Sequence, residues 1–304
     1  MESQGNPTES QITISNGQIP QWFESALAAP FETGNVDVAG VSINYQAWGE
    51  QNRPGVLLIH GGAAHSHWWD HIAPLLAKRH RVVAIDLSGH GASGRRENYT
   101  FDLWVEEVMS VTRNSSMAIN PILIGHSLGG MVALHAAKQF GAQLRGTVAI
   151  DSGISRRAPE EEAEIQQIAF GPLHVYPERE EILQRFRTIP EQEVLPFISA
   201  HVAENSIRKV EGGWSWKFDP RIFDRTRGLP ASYASFECRV TIFRAEKGII
   251  SENMAEIMYE NMGKVVPIIE IPNAGHAAML DQPLALVTGL RTLIAEWEHS
   301  LPAL

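Results

Sequence analysis

The order of hydrophobic and polar residues along the chain predicts an alternation of strands and helices. Between positions 36 and 48, apolar residues recur at about every second position on both sides of Ala39-Gly40, which predicts an antiparallel hairpin. Nearly continuous apolar runs follow, as expected of strands buried on both faces of a parallel sheet. They lie at 55–60, 81–86, 121–125, 146–151, 240–245 and 265–271.

Helical spacing of apolar residues separates these runs. The predicted helices cover 66–78, 101–111, 131–140 and 252–261, and a last helix begins at Asp281, a suitable N-cap, with Pro283 in its first turn. Strands that alternate with helices in this way are joined by right-handed crossovers. The sequence therefore predicts an α/β fold with a doubly wound, mostly parallel sheet.

Two parts of the chain depart from this alternation. Between positions 152 and 230 a helix-rich pattern takes its place, and the first residues are rich in Ser, Gln, Asn, Glu and Pro. We therefore predict an N-terminal extension at 1–33, a core formed by 34–152 and 231–304, and an inserted unit at 153–230.

One turn near the middle of the chain carries the strongest chemical signal. The segment 121–130 passes from an apolar run through Gly-His-Ser-Leu-Gly into a helical pattern, so Ser127 is expected at a sharp corner with its hydroxyl exposed. Gly125 and Gly129 flank this serine, and glycine tolerates the strained backbone and the close packing that such a corner requires. The pattern predicts a catalytic centre at this corner.

Four segments of the chain, in this order, resemble the α/β-hydrolase superfamily. Residues 56–62 are similar to its strand and oxyanion loop, and 82–91 to its next strand and loop. Residues 125–129 match its nucleophile motif G-x-S-x-G, and 271–276 resemble the segment that delivers its catalytic histidine. The resemblance implies an α/β-hydrolase fold in which the insertion at 153–230 is a helical cap placed after the sixth strand.

The resemblance also implies roles for individual residues. Ser127 is expected to be the nucleophile, and it needs a positioned base because a serine hydroxyl is a poor nucleophile at neutral pH. His276 is the expected base. The backbone N–H groups of Leu128 and Gly62 are expected to stabilise the oxyanion, with Ala63 as the neighbouring alternative to Gly62.

The acidic residue that orients the histidine departs from the commonest family pattern. Where many relatives place an aspartate after the seventh strand, this chain has Gly248. The two candidates are Asp151, at the end of the sixth predicted strand, and Glu246, two residues before the usual position. We favour Asp151 and keep Glu246 as the alternative.

Aromatic residues in the cap and beside the oxyanion loop favour a bulky hydrophobic or aromatic substrate. We expect substrate contacts from Ala63, Trp68, Trp214, Trp216 and Phe218. The resemblance thus implies a serine hydrolase that cleaves a carboxylic ester or a lactone through an acyl-enzyme. Two alternatives stay open: a hydrolase that cleaves a carbon–carbon bond of a ring-cleavage product, and a ligand-binding receptor on the same fold.

Composition and charge limit the binding partners and the cellular location that we expect for this protein. The net charge of −10, without a basic stripe, argues against nucleic-acid binding. The single cysteine, Cys238, allows no internal disulfide, and no apolar run is long enough to cross a bilayer. We expect a cytoplasmic protein without membrane contact that acts on a small hydrophobic molecule, and a homodimer is one assembly that the sequence allows.

Histidines near the oxyanion loop raise the question of a metal ion. His65, His67 and His71 lie close to Asp70, and histidines four residues apart share a face of a helix. The sequence shows no further ligand pattern nearby, and the family resemblance places an oxyanion loop and a helix here. We therefore expect neither a metal ion nor another cofactor.

Overall fold

The protein is built around an eight-stranded, mostly parallel sheet. The computed structural model describes residues 19–153, 173–223 and 233–300. The strands are β1 Glu32–Val38, β2 Val41–Trp48, β3 Gly55–Ile59, β4 Arg81–Ile85, β5 Ile122–His126, β6 Gly146–Ile150, β7 Ile207–Val210, β8 Gly213–Trp216, β9 Arg239–Lys247 and β10 Ile268–Gly275.

The strand order of the large sheet is β1-β2-β4-β3-β5-β6-β9-β10. β1 and β2 form the predicted antiparallel hairpin, β2 is antiparallel to β4, and all later neighbours are parallel. All residues of β3, β4, β5 and β6 are buried, which agrees with their continuous apolar sequences. This arrangement confirms the predicted α/β fold.

Helices cover both faces of the sheet. The α-helices of the described residues, two of which (α5 and α6) belong to the insertion between β6 and β9, are α1 Gln21–Leu27, α2 Ala73–Leu76, α3 Phe101–Asn114, α4 Leu128–Phe140, α5 Arg179–Leu183, α6 Pro196–Asn205, α7 Glu252–Asn261, α8 Ala278–Asp281 and α9 Pro283–His299. Within β3, Leu57 and Ile59 pack with α3 and α4, whereas Val56 and Leu58 pack with α2 and α9. The period of two along each strand thus divides the core into two layers.

Besides shifts of three residues at the end of α3 and at the start of α4, two predicted helices differ from the structure for a clear reason. The helix predicted over 66–78 is a 3-10 helix, Ser66–Trp69, followed by the short α2. Pro74 has no N–H to donate to the carbonyl of Asp70, so a continuous helix would lose a hydrogen bond there. The last helix has Gln282, not Asp281, at its N-cap, because the carboxylate of Asp281 accepts the N–H of Gly275 at 2.5 Å.

The insertion between β6 and β9 is not only helical in its described part. It contains α5, α6, a 3-10 helix at Pro220–Phe223 and the two-stranded antiparallel sheet of β7 and β8. Gly212 has a positive φ of 82° at the turn of this hairpin, a conformation that glycine adopts without strain. The prediction of a helical cap did not include this hairpin, and 154–172 and 224–232 lie outside the described residues.

The N-terminal extension ends in a helix that packs on the core. Phe23 of α1 is buried, and its ring lies 4.9 Å from that of Phe197 and 5.8 Å from that of His71. Residues 1–18 of the predicted extension lie outside the described part. In the described part of the chain, no helix is both long enough and apolar enough to cross a membrane.

Candidate active site

Ser127 occupies the corner between β5 and α4, where its backbone is strained. Its φ of 51° and ψ of −117° are rare for a residue with a side chain. The flanking glycines allow the corner to close: a Cβ on Gly125 would collide with the carbonyl of Gly129, and one on Gly129 would collide with the carbonyls of Ile59 and His60. Such strain costs about 1–3 kcal/mol and is commonly found at functional sites.

His276 and Asp151 meet at the same edge of the sheet. His276 directly follows β10 and Asp151 directly follows β6, and carboxyl ends of parallel strands lie together. Nδ1 of His276 donates to Oδ2 of Asp151 over 2.7 Å. With its proton on Nδ1, the neutral imidazole carries its lone pair on Nε2, the nitrogen that a general base would use.

Asp151 is fully buried, and backbone groups hold its carboxylate in place. Oδ2 also accepts the N–H of Ile249 at 2.8 Å, and Oδ1 accepts that of Ala245 at 3.3 Å. Burial alone would raise the pKa of Asp151, but the hydrogen bonds from His276 and Ile249 and the charge of His276 outweigh it, so the pKa lies below its usual value. The carboxylate is therefore ionised at neutral pH.

The structure places the two acid candidates differently. Glu246 is exposed, and its carboxylate accepts the backbone N–H of Asn273 at 2.6 Å. At Gly248, where many relatives carry the acid, an added Cβ would collide with the carboxylate of Asp151. The glycine thus leaves the space that Asp151 occupies, and only Asp151 of the two candidates is hydrogen-bonded to His276.

His126 is a buried neighbour of His276 to which sequence analysis gave no role. Its Nε2–H donates to the carbonyl of His276 over 2.8 Å, and the two rings lie 4.6 Å apart. Burial lowers the pKa of His126 to about 3, so its ring is neutral near pH 7. Its position next to Ser127 at the end of β5 was the only available signal, and it does not indicate a contact with residue 276.

The loop after β3 lies against the Ser127 corner. A Cβ on Gly61 would stand 3.3 Å from Cβ of Ser127, and one on Gly62 would stand 3.8 Å from the side chain of Leu128. As the first residue of α4, Leu128 has an N–H without an acceptor inside the helix. The two expected oxyanion donors therefore belong to neighbouring segments, and Ala63 follows in the same turn with a φ of 57°.

His60 fixes the shape of this loop. Its Nδ1 donates to the carbonyl of Gly61 over 2.7 Å, and its Nε2 accepts the N–H of Leu87 at 3.1 Å. The two hydrogen bonds select one neutral tautomer of the ring. Asp86 joins the neighbouring loops in a similar way, because its carboxylate accepts the N–H groups of Ser66 at 2.6 Å and Ala92 at 2.9 Å. Asp86 is thus a structural residue of the loop.

The aromatic residues form contacts between the core and the insertion. Trp68 and Trp216 each lie 6.4 Å from the ring of Phe186. Phe218 lies 6.5 Å from Phe223, and a Cβ on Gly62 would stand 3.3 Å from that Phe223 ring. Sequence analysis missed Phe186 and Phe223, because nothing in their spacing indicates which core residue they contact.

Trp214 lies apart from these contacts. The guanidinium of Arg179 stands 5.9 Å from the centre of its ring, and its backbone pairs with Tyr176. This interaction belongs to the insertion itself. The structure therefore joins Trp68, Trp216 and Phe218 to aromatic residues near the loop after β3, and it gives Trp214 a contact within the insertion.

A cavity of about 450 Å³ lies at the end of the sheet opposite to the Ser127 corner, where the parallel strands begin. Ligands of open α/β sheets bind outside the carboxyl ends of the strands, whereas this cavity lies where β5, β6 and β9 begin. Burial raises the pKa of the Cys238 thiol in its wall, so the thiol stays protonated. The lining residues are Asn120, Leu144, Arg145, Phe236, Glu237, Cys238 and Arg239.

Comparison with known proteins identifies the family. The model of the alpha/beta hydrolase family matches residues 56–289, and the chain belongs to that family. It is 25% identical over 263 residues to Esterase Rv0045c of Mycobacterium tuberculosis. This alignment covers 83% of this chain and 86% of that protein. It is also 25% identical over 284 residues to a probable serine hydrolase of Drosophila melanogaster, covering 84% and 82%.

A solved structure shows the same fold. E-2-(acetamidomethylene)succinate hydrolase superposes with a TM-score of 0.76 at 21% identity, over 88% of this chain and 100% of that chain. At this identity the likeness concerns the fold alone. The family match and the two relatives identify the protein as a hydrolase of the alpha/beta hydrolase family.

Proposed function

We propose that the protein is a serine hydrolase that cleaves a carboxylic ester or a lactone through an acyl-enzyme. The observation that carries this proposal is the 2.7 Å hydrogen bond between His276 and Asp151 at the sheet edge where the strained corner holds Ser127. A nucleophile, a base and an orienting acid in family order are the parts that acyl transfer requires. The names of the two relatives, an esterase and a probable serine hydrolase, agree with it.

In the first half of the reaction, Oγ of Ser127 attacks the carbonyl carbon while its proton passes to Nε2 of His276. The N–H groups of Leu128 and Gly62 stabilise the oxyanion, a contribution of about 2.7–4 kcal/mol for one such donor. The bond to the leaving oxygen then breaks, and the imidazolium returns the proton to that oxygen. Asp151 stabilises the imidazolium and keeps its orientation.

In the second half, water hydrolyses the acyl-enzyme along the same path. His276 takes a proton from the water molecule as the water oxygen attacks the carbonyl carbon of the acyl-enzyme. His276 then gives this proton to Oγ of Ser127 as the carboxylic acid product leaves. The same groups act twice, so one set of hydrogen bonds serves both steps.

The aromatic contacts support a bulky hydrophobic or aromatic substrate. Trp68 follows the loop after β3, Trp216 is linked to Trp68 through Phe186, and Phe218 is linked to the loop through Phe223. Their large flat surfaces bind apolar groups by burial. A small molecule of this type needs few polar contacts besides those to its reacting carbonyl.

Labelling with a fluorophosphonate and turnover of aryl esters and lactones test this function. We expect wild type to gain one adduct at Ser127 and to hydrolyse members of the panel, and Ser127→Ala to do neither. Ser235→Ala, at an exposed serine, is the matched control and should behave as wild type. A wild type without adduct or turnover that still binds these compounds would contradict the proposal and indicate a receptor instead.

A further inference from the structure

Three side chains outside the serine centre converge on one point. Oδ2 of Asp70 lies 2.8 Å from Nδ1 of His67 and 2.8 Å from Nε2 of His201. The three atoms all lie within 4.8 Å of one another. His201 belongs to α6 in the insertion, 131 residues after Asp70, whereas His67 and Asp70 belong to the core segment that follows the oxyanion loop.

The surroundings of this cluster contain buried oxygen atoms without a partner. Gln46 is only 3% exposed, and its amide nitrogen lies 3.3 Å from Nδ1 of His67. Among the described residues, neither its Oε1 nor Oδ1 of Asp70 has a hydrogen-bond donor. A buried oxygen usually has such a partner, so the cluster offers more acceptor capacity than the protein itself uses.

We propose that His67, Asp70 and His201 bind a divalent transition-metal ion, with Zn²⁺ as the ion that fits the donor set best. Two imidazole nitrogens and one carboxylate oxygen are common zinc ligands. Ligand atoms at about 2.0–2.1 Å from a tetrahedral zinc ion stand about 3.4 Å from one another. The ligand atoms of His67, Asp70 and His201 would reach that spacing by shifts of between about 0.3 Å and about 1 Å.

The ring nitrogens can supply lone pairs without a change in charge. In the structure described, the two imidazoles donate N–H groups to the same carboxylate oxygen. When each proton moves to the other nitrogen of its own ring, both rings stay neutral and the nitrogens near Asp70 become ligands. The side chains of His67 and His201 are 29% and 21% exposed, so water can complete the coordination.

Such an ion would hold the insertion against the core. A second contact already joins the same two regions, because Nε2 of His65 lies 2.8 Å from Oγ of Ser206, just after α6. The ion would add a further bridge through His67 and Asp70, which lie on either side of Trp68, one of the expected substrate contacts, in the sequence. The site is separate from the serine centre, and the ion would restrain α6 relative to the core segment that contains Trp68.

The sequence alone does not show that these three residues lie together. The other two histidines considered there are bound elsewhere: His65 to Ser206, and His71 to the carbonyl of Met279 at 2.7 Å. His67 and Asp70 alone form an ordinary hydrogen bond between near neighbours in the chain. Only the position of α6 in the folded chain brings the third ligand, His201, to them.

Calorimetric titration of the chelator-treated, full-length protein with Zn²⁺ tests the site. We expect one ion to bind per chain in wild type. His201→Gln and, separately, His67→Gln should weaken Zn²⁺ binding by at least ten-fold. Loss of a residue that only hydrogen-bonds to a metal ligand already lowers metal affinity by about 10–100-fold, and these two histidines are the proposed ligands themselves. His299→Gln, at an exposed histidine of α9, is the matched control and should bind as wild type does.

Hydrogen exchange measures the bridge independently of catalysis. We expect Zn²⁺ to slow exchange of α6 amides in wild type and in His299→Gln, but not in His201→Gln or His67→Gln. Circular dichroism checks that the variants are folded, and two variants at one site guard against a single folding failure. No binding in wild type, binding by both site variants as tight as that of wild type, or α6 exchange in wild type that Zn²⁺ leaves unchanged would overturn the proposal.

Discussion

At the scale of single residues, the site depends on a match between Asp151 and Gly248. The carboxylate that orients His276 fills the space that a side chain at 248 would need. An acid after β6 and a glycine after β9 are therefore two parts of one arrangement. The sequence left Asp151 and Glu246 as alternatives because it does not show which carboxylate the His276 ring can reach.

Replacing each carboxylate separately distinguishes the two acids. Asp151→Asn should lower kcat by about 10⁴-fold, because the amide favours the wrong tautomer of His276 and cannot stabilise its charged form. Glu246→Gln should stay within a few fold of wild type, since among the described residues its carboxylate accepts only the exposed N–H of Asn273. Steady-state hydrolysis of an aryl ester measures both, and the opposite ranking would contradict the assignment.

Gly248→Ala tests the space that Asp151 needs. The new Cβ would displace the carboxylate from Nδ1 of His276, so we expect kcat to fall by about 10²-fold with little change in KM. Gly153→Ala is the control, because its Cβ would make only an ordinary contact at 3.4 Å with Met254. If Gly248→Ala and Gly153→Ala are equally active, the proposed match does not exist.

At the scale of elements, local patterns predicted most of the sheet and its helices. The apolar runs became β3 to β6, and the helix predicted over 252–261 has those bounds in the structure. The failures have physical causes outside local periodicity. Pro74 divides the segment 66–78, and Trp214 and Trp216 belong to a hairpin whose alternation is only four residues long.

The N-cap of α3 is an element whose contribution can be measured. Oγ1 of Thr100 accepts the N–H of Leu103 at 3.2 Å. Thr100→Ala should lower the free energy of unfolding by about 0.5–2 kcal/mol in urea denaturation, because one helical N–H loses its acceptor. Thr292→Ala, at an exposed position within α9, should be neutral or slightly stabilising, since alanine favours helices. Equal destabilisation by both would exclude the capping effect.

At the scale of the whole molecule, the site is assembled from segments far apart in the chain. Asp151 and His276 are 125 residues apart, and His126 and His276 are 150 apart. Motif order in the sequence pointed to the serine and the histidine, but it contains no distances. The contacts of His126, Phe186 and His201 depend on how the insertion and the last strands pack, so they could be seen only in the folded chain.

Burial of a neutral His126 should make the fold sensitive to acid. Its pKa is about 3 when folded and near 6.5 when unfolded, so the unfolded chain binds one more proton between these values and stability falls as pH decreases. His126→Gln should reduce the slope of unfolding free energy against pH by up to about 1.4 kcal/mol per pH unit. Urea denaturation between pH 6.5 and 4.5 measures it, and an unchanged slope would contradict the neutral state.

The most direct measurement for the central proposal is the mass of the protein quenched in acid during turnover of an aryl ester. We expect wild type to carry one acyl group, which peptide mapping places on Ser127, because acid stops the water step before the ester at Oγ is hydrolysed. Ser127→Ala should carry none. Turnover by wild type without any acyl adduct, or with the adduct at another residue, would contradict the proposed mechanism.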